Sequence, residues 1–362
     1  ADKLDRLFFM YYIIINMFKK TTFPTEVSIK IERALSYLTN PRTREVVERR
    51  FGLKDGKIET LEAIGKNYGI TRERVRQLEE NGLKILKSEK VLPLFGAAFN
   101  FLGELFSEHG HIIGENRLYF TATGTIDPNP LRGQIYLALT LGDSFKRVIK
   151  DDKFHPYWVS HETAQEKAKK IVDFLIDYFK KNNKVFCESE IMDLLSKKHS
   201  NCPAKMFETV LEISKNIDKN IFNEIGLNSW PDIIPQGVRD RAYLMLKKDG
   251  APKHFTKIAE MINNVFKNKP AYTQTVHNEL IKDPRFVLVG RGTYALTDWG
   301  YEAGTVEDVI CKVLSQNKKP LDRKEIIDLV LAKRQVKPNT IILNLHKSKK
   351  IRKTADDKYI LV

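Results

Sequence analysis

The sequence holds only three cysteines, Cys187, Cys202 and Cys311, and none of them forms a CxxC pair. Such spacing argues against a zinc site or a disulfide framework and fits a reducing, cytoplasmic setting. Histidine is also scarce. His109 and His111 flank a glycine with no carboxylate or cysteine at metal-ligand spacing, so no metal is expected. There is no phosphate loop, no GxSxG and no HExxH. Nor do carboxylates gather with a lysine on strand-like sequence, as a nuclease core holding a divalent ion requires. These absences predict a protein that is not an enzyme, with no cofactor and no small-molecule substrate. Long hydrophobic runs are missing too. Leu7–Phe18 is strongly apolar, but it spans twelve residues and contains Asn16. A membrane helix needs about 20 residues. With no basic leader and no small-residue cleavage site it does not read as a signal peptide. It is expected to be a hydrophobic helix packed on the next domain, and no membrane partner is expected.

What the chain has in excess is positive charge. Sixty-one Lys and Arg against 46 Asp and Glu give a net charge of +15, which favours a polyanionic partner. Hydrophobic residues at 42% and charged residues at 30% are ordinary for a globular protein. A length of 362 residues suggests two or three compact domains, or more if they are small.

Pro41–Lys87 is the most informative segment. Thr60 is an expected N-cap for a short helix with Leu61 and Ile64 on its inner face and Glu62 at the positive end of the dipole. Gly69 breaks that helix, and Thr71 caps a second. In the second, Val75, Leu78, Gly82, Ile85 and Leu86 keep helical spacing. Arg72, Glu73, Arg74, Arg76 and Gln77 are left on the outer face and first turns. Arg and Gln read guanine and adenine edges through paired hydrogen bonds, and a helix-turn-helix brings such residues into a major groove.

The RxVxxxRFGL run (Arg44–Leu53), TLEAIG (Thr60–Gly65) and GITRERVRQLE (Gly69–Glu79) resemble region 4 of bacterial sigma-70-family transcription initiation factors. The resemblance implies that the second helix reads promoter −35-type double-stranded DNA and that the domain docks on the β-subunit flap of the RNA polymerase core. It carries over Arg72, Glu73, Arg76 and Gln77 as base readers, with Thr71 and Arg74 on phosphates. No segment resembles the sigma region that melts the −10 element, so the chain is not expected to open promoters alone.

Downstream, Trp158, Trp230 and Trp299 recur at nearly equal intervals, each ending strand-like sequence that follows short amphipathic helices. They are expected to anchor the cores of wings. The clearest copy has helices at Val238–Lys248 and Phe255–Phe266 and a third that starts at Thr273 or Thr275 and runs through Ile281. A hairpin of Phe286–Val289 and Thr293–Leu296 follows, turning at Gly290–Gly292. Its HFTKIAEMIN (His254–Asn263) and TVHNELIKDPRFVLVGRGTYALTDWG (Thr275–Gly300) segments resemble the HARE-type winged helix of RNA polymerase delta subunits and restriction-endonuclease accessory regions. The last copy places Asp322 and Glu325 as a capping box, a third helix at Asn339–Lys347 and a wing from Ile351–Lys353 to Tyr359–Val362. Lys347, Lys349, Lys350, Arg352 and Lys353 stand at the junction of that helix and wing, where phosphate contact is expected.

The fold expected is mainly α, a helix-turn-helix followed by tandem winged helix-turn-helix units with short β-hairpin wings. The expected segments are an apolar N-terminal segment (1–24), the helix-turn-helix (25–90), a winged-helix-like unit (91–162) and a winged-helix unit (163–236). A HARE-type unit (237–303) and a C-terminal winged helix (304–362) complete the series. Within 91–162, Arg117–Thr121 is expected as strand. The function expected is that of a sequence-specific, sigma-like DNA-binding transcription protein. A delta-like polymerase accessory factor and the DNA-recognition subunit of a restriction system are the alternatives.

Overall fold

The computed structural model describes residues 23–362 except 318, 335 and 355. The Leu7–Phe18 segment lies outside the described residues. Packing divides the chain into two units at Asp218/Lys219, with Ile225–Leu227 returning to the first.

Among the described residues, the first unit begins with four helices, α1 (Thr25–Leu35), α2 (Pro41–Phe51), α3 (Leu61–Tyr68) and α4 (Arg72–Leu86). Their ends follow local chemistry. The Asn40 side chain accepts from the Arg42 and Thr43 amides, and Thr60 and Thr71 accept from Ala63 and Arg74. These bonds satisfy N–H groups that a helix start leaves unpaired. Gly69 ends α3 at φ +64°, a left-handed conformation that suits glycine. Neighbouring residues of α2 face different ways. Val46 joins Ile64, Val75 and Leu78 in a small core beneath the helix-turn-helix. Val47 and Phe51 join a larger core with α1, Leu86 and residues up to Trp158.

That larger core is shared with the following segment. A short 3-10 turn (Leu92–Phe95) leads into α5 (Gly96–Glu108), β1 (Ile112–Gly114), α6 (Glu115–Thr123), α7 (Pro130–Leu141), β2 (Lys146–Val148) and β3 (Tyr157–Val159). Gly133 of α7 lies so close to the end of α2 that a Cβ there would sit 2.5 Å from the Phe51 and Gly52 carbonyl oxygens. Ser28 Oγ donates to Gln134 Oε1 at 2.7 Å, and the Phe23 amide donates to the Ala122 carbonyl at 2.8 Å. The helix-turn-helix is thereby seated on this segment. Arg117–Thr121, expected as strand, lies within α6. Leu118, Tyr119 and Ala122 bury one face at helical spacing, and only Ile112–Gly114 is extended.

Three further segments repeat the order helix, strand, helix, helix, strand, strand. They are α8 (Glu162–Asn182), β4 (Phe186–Cys187), α9 (Glu188–Lys198), α10 (Ala204–Ile213), β5 (Ile217–Lys219) and β6 (Glu224–Leu227). Next come α11 (Val238–Asp249), β7 (Lys253–His254), α12 (Phe255–Val265), α13 (Thr273–Lys282), β8 (Phe286–Gly290) and β9 (Thr293–Leu296). The last holds α14 (Val306–Asn317), α15 (Arg323–Lys333), α16 (Pro338–Lys347), β10 (Ile351–Lys353) and β11 (Tyr359–Leu361). The sheets run β1-β3-β2, β4-β6-β5 and β7-β9-β8, so the first strand always pairs with the third. In the last segment a bridge of Leu321 to Tyr359 stands in for that first strand. The whole is mainly helical with small antiparallel sheets, as the sequence predicts.

The third helices of these segments differ in what covers them. α10 is buried within the first unit, and Met206, Phe207, Val210 and Ile213 are all core residues. Arg117 of α6 lies between Glu208, at 3.1 Å, and Glu212. His109 Nδ1 meets Thr209 Oγ1 at 3.1 Å. α13 and α16 each bury one side only. Trp158 is a core residue of its wing. Trp299 is half-buried against the core of α11–β9, and Trp230 is half-buried.

Candidate nucleic-acid interface

The helix-turn-helix presents α4 as a capped helix backed by the Val46, Ile64, Val75 and Leu78 core. Opposite that core, Arg72, Glu73, Arg74, Arg76 and Gln77 are all exposed, as is the cap Thr71. The turn between α3 and α4 leaves a hollow lined by Glu62, Lys66, Gly69, Thr71 and Arg72. An exposed helix start with Lys and Arg beside it is chemically suited to an anion.

The outer side chains engage one another. Arg76 Nε and Nη2 donate to the two carboxylate oxygens of Glu73 at 2.9 and 2.7 Å, and Nη1 donates to Glu80. The Arg76 guanidinium holds the Glu73 carboxyl below its usual range. Arg74 Nη1 donates to Gln77 Oε1 at 3.0 Å. On α4, Arg72 and Arg74 carry the exposed positive charge nearest the turn, whereas the Arg76 charge is balanced by Glu73 and Glu80.

The second unit brings the other predicted residues together at the end of α16 and on β10. Lys347 lies in the last turn of α16, with Lys349 and Lys350 exposed in the following turn. Arg352 and Lys353 are exposed on β10, where they pair with Ile360 and Tyr359 of β11. Lys353 forms an ion pair with Asp357, which raises its pKa.

Sequence reasoning missed the ion pairs that assemble the helix-turn-helix. Arg49 donates to both oxygens of Glu59 at 2.7 Å and holds that carboxyl below its ordinary range. Arg50 Nε donates to Glu79 of α4 at 3.1 Å, and Nη1 donates to the Glu59 carbonyl. Arg42 and Arg49 also lie over the Tyr68 ring, at 5.6 and 5.5 Å. Arg42, Arg49 and Arg50 of α2 therefore tie the motif together. No spacing rule within one helix signals this, because the partners lie 10 and 29 residues away. Among the described residues no group of three or more His, Cys, Asp and Glu could hold a metal, and no helix is long and apolar enough to cross a membrane.

Comparison with known proteins agrees with this geometry over one segment. Residues 34–88 match the family described as Sigma-70, region 4. RNA polymerase sigma factor SigA of Nostoc is 46% identical over 57 residues, covering 16% of this chain and 14% of that protein. SigA1 of Synechococcus elongatus is 47% identical over 57 residues, with the same two shares. The principal sigma factor HrdD of Streptomyces coelicolor is 46% identical over 48 residues, or 13% of this chain and 14% of that protein. The chain thus covers about a seventh of the length of these relatives (14%). Capped helices, glycine turn, exposed Arg/Gln face and family match coincide, and residues 34–88 are a sigma-70 region 4 domain.

Proposed function

We propose that this chain is a non-enzymatic, DNA-binding transcription protein that reads promoter −35-type duplexes through α4 and contacts RNA polymerase. The observation that carries the reading is the outer face of α4. Its Arg, Glu and Gln side chains are exposed on a helix fixed by the Thr71 cap and a buried core. Thr71 and Arg74 bind phosphates and set register, while Arg72, Glu73, Arg76 and Gln77 meet base edges. Lys347, Lys349, Lys350, Arg352 and Lys353 add phosphate contacts that carry no sequence information. Polymerase is bound through the same domain, with the β flap as its docking site. Selection of bound duplexes from a random pool tests the DNA reading. A TTGACA-like hexamer is the expected product, and an unrelated consensus would reassign the protein.

The carboxylates around Arg76 favour a second reading, in which the domain docks mainly on polymerase and DNA is secondary. Glu73 and Glu80 occupy donors that a base would otherwise use. Capture of polymerase core by a protein that shifts no promoter duplex at moderate salt would select this reading.

A further inference from the structure

The first unit holds buried polar groups that neither the proposed DNA contacts nor the ion pairs of α2 use. They gather where α6, α7 and the β1–β3 sheet meet. Tyr119 lies on the buried face of α6 with Leu118 and Ala122. Trp158 of β3 stands opposite Ile113 of β1 and Arg147 of β2, which puts the three on one face of the sheet. Tyr119 and Trp158 are 1% and 3% exposed, yet among the described residues neither Tyr119 Oη nor Trp158 Nε1 has a hydrogen-bond partner. The buried Nε of Arg132, at the start of α7, is unpaired among them as well. Buried polar atoms are ordinarily bonded, so three orphans in one neighbourhood require a cause.

Their neighbours link them. The Arg132 guanidinium carbon lies 4.3 Å from the centre of the Tyr119 ring, and that of Arg147 lies 5.3 Å from the centre of the Tyr136 ring. Tyr136 in turn meets Trp158 edge-on at 6.1 Å. The Tyr119 hydroxyl is within electrostatic reach of Glu115, Arg132, Arg147 and Tyr136. Burial, with the Glu115 charge added, pushes its pKa up, so the phenol stays protonated.

The donor balance shows what would fit. Trp158 Nε1 and Arg132 Nε can only donate, and the protonated Tyr119 hydroxyl can donate as well. Charge points the same way. Arg147 is taken up by Glu115, with Nη2 2.8 Å from each carboxylate oxygen. Arg132 Nη1 instead donates to the Ile126 carbonyl at 2.8 Å, and no carboxylate pairs with it among the described residues. Free donors beside an unbalanced guanidinium call for an acceptor that also carries negative charge, which water does not. Tyr119 and Trp158 belong to a packed core, so only a small ion suits them.

We propose that Tyr119, Arg132 and Trp158 form a site for one small oxyanion, a carboxylate or phosphate, held by Tyr119 Oη, Arg132 Nε and Trp158 Nε1. The site is independent of the DNA reading. Arg132 directly precedes Gly133 and Gln134, on which the helix-turn-helix is seated, so the bound ion would brace that seat.

Thermal melts of the full chain in sodium chloride, sodium acetate and sodium phosphate at matched ionic strength test this. The melting temperature is expected to rise with the concentration of acetate or phosphate, as binding to the folded state requires, and the two arms tell which oxyanion is taken. Tyr119→Phe removes only the orphaned hydroxyl. It should melt no lower than the wild type in chloride and bind the oxyanion about tenfold or more weakly. Arg132→Lys, which keeps the charge and loses Nε, should show the same weakening and gives a second reading if Tyr119→Phe loses its fold. Arg72→Ala, at the turn between α3 and α4, should keep the full rise. No rise in the wild type, or an equal rise in the wild type and both site variants, overturns the proposal. So does a rise lost in Arg72→Ala and kept in Tyr119→Phe, which would place the ion at that turn.

Discussion

Arg76 sits between Glu73 and Glu80, and in the proposed DNA-bound state this pairing sets which of its donors a base can reach. Glu73 takes Nε and Nη2, leaving the Nη1/Nη2 edge for a base, while Glu80 competes for Nη1. Replacing Glu80 with Gln removes that competitor and a negative charge beside the phosphates. Binding to every duplex should tighten several-fold, without change of preferred sequence, in a titration at fixed salt. Weaker binding would mean that Glu80 itself positions Arg76. Elsewhere in the first unit, His109 offers a residue-scale test of stability. Burial, together with the Arg117 and Lys205 charges, pushes its pKa from 6.5 down to about 3. The folded protein thus holds His109 neutral, whereas the unfolded chain protonates it below about 6.5. Its stabilising effect is complete above pH 6.5 and is lost as the pH falls toward 3, at up to about 1.4 kcal/mol per pH unit. Denaturant melts at pH 7, 6 and 5 should show this loss, and His109→Gln should flatten it. An equally steep decline in the variant would assign the acid sensitivity to other groups.

Among the elements, α4 depends on how closely it approaches α2. A Cβ on Gly82 would lie 2.6 Å from Val47 Cγ2 and 3.2 Å from Thr43 Cγ2. Gly82→Val should therefore cost about 1–3 kcal/mol by overpacking, against the usual gain from removing a helical glycine. A lowered denaturant midpoint checks this, and an unchanged one would show that α2 yields. The helices of this region are legible in the sequence because caps and apolar spacing act over three or four residues. Thr60, Thr71 and Gly69 mark the boundaries found, as do Asp322 and Glu325 farther on, whose reciprocal bonds are both 2.8 Å. Strands of two or three residues leave no such period, so Ile112–Gly114 passes unnoticed and Arg117–Thr121 is misread as extended. The burial of α10 is equally invisible, because Arg117 and Glu212 are joined by tertiary packing rather than spacing.

For the whole molecule, the net charge of +15 predicts strong salt dependence of DNA binding. Each phosphate contact should contribute a slope of about −0.9 in log affinity against log salt. Lys350→Ala and Lys353→Ala should each flatten that slope by about one while weakening all duplexes alike. A change of sequence preference would instead place them on bases. The sequence makes the region 4 domain legible, since sigma-70 region 4 specifies many positions at fixed spacing. It reveals less about the rest, where the repeated fold is clear but covered and open third helices read alike. The central claim is that α4 reads promoter sequence. The most direct test compares the affinity of the full chain for a TTGACA-containing duplex and a scrambled one, at moderate salt, with and without Arg72→Ala/Gln77→Ala. We predict a preference for the hexamer of about tenfold or more that the variant abolishes, whereas equal affinity of the wild type for both duplexes would contradict the account.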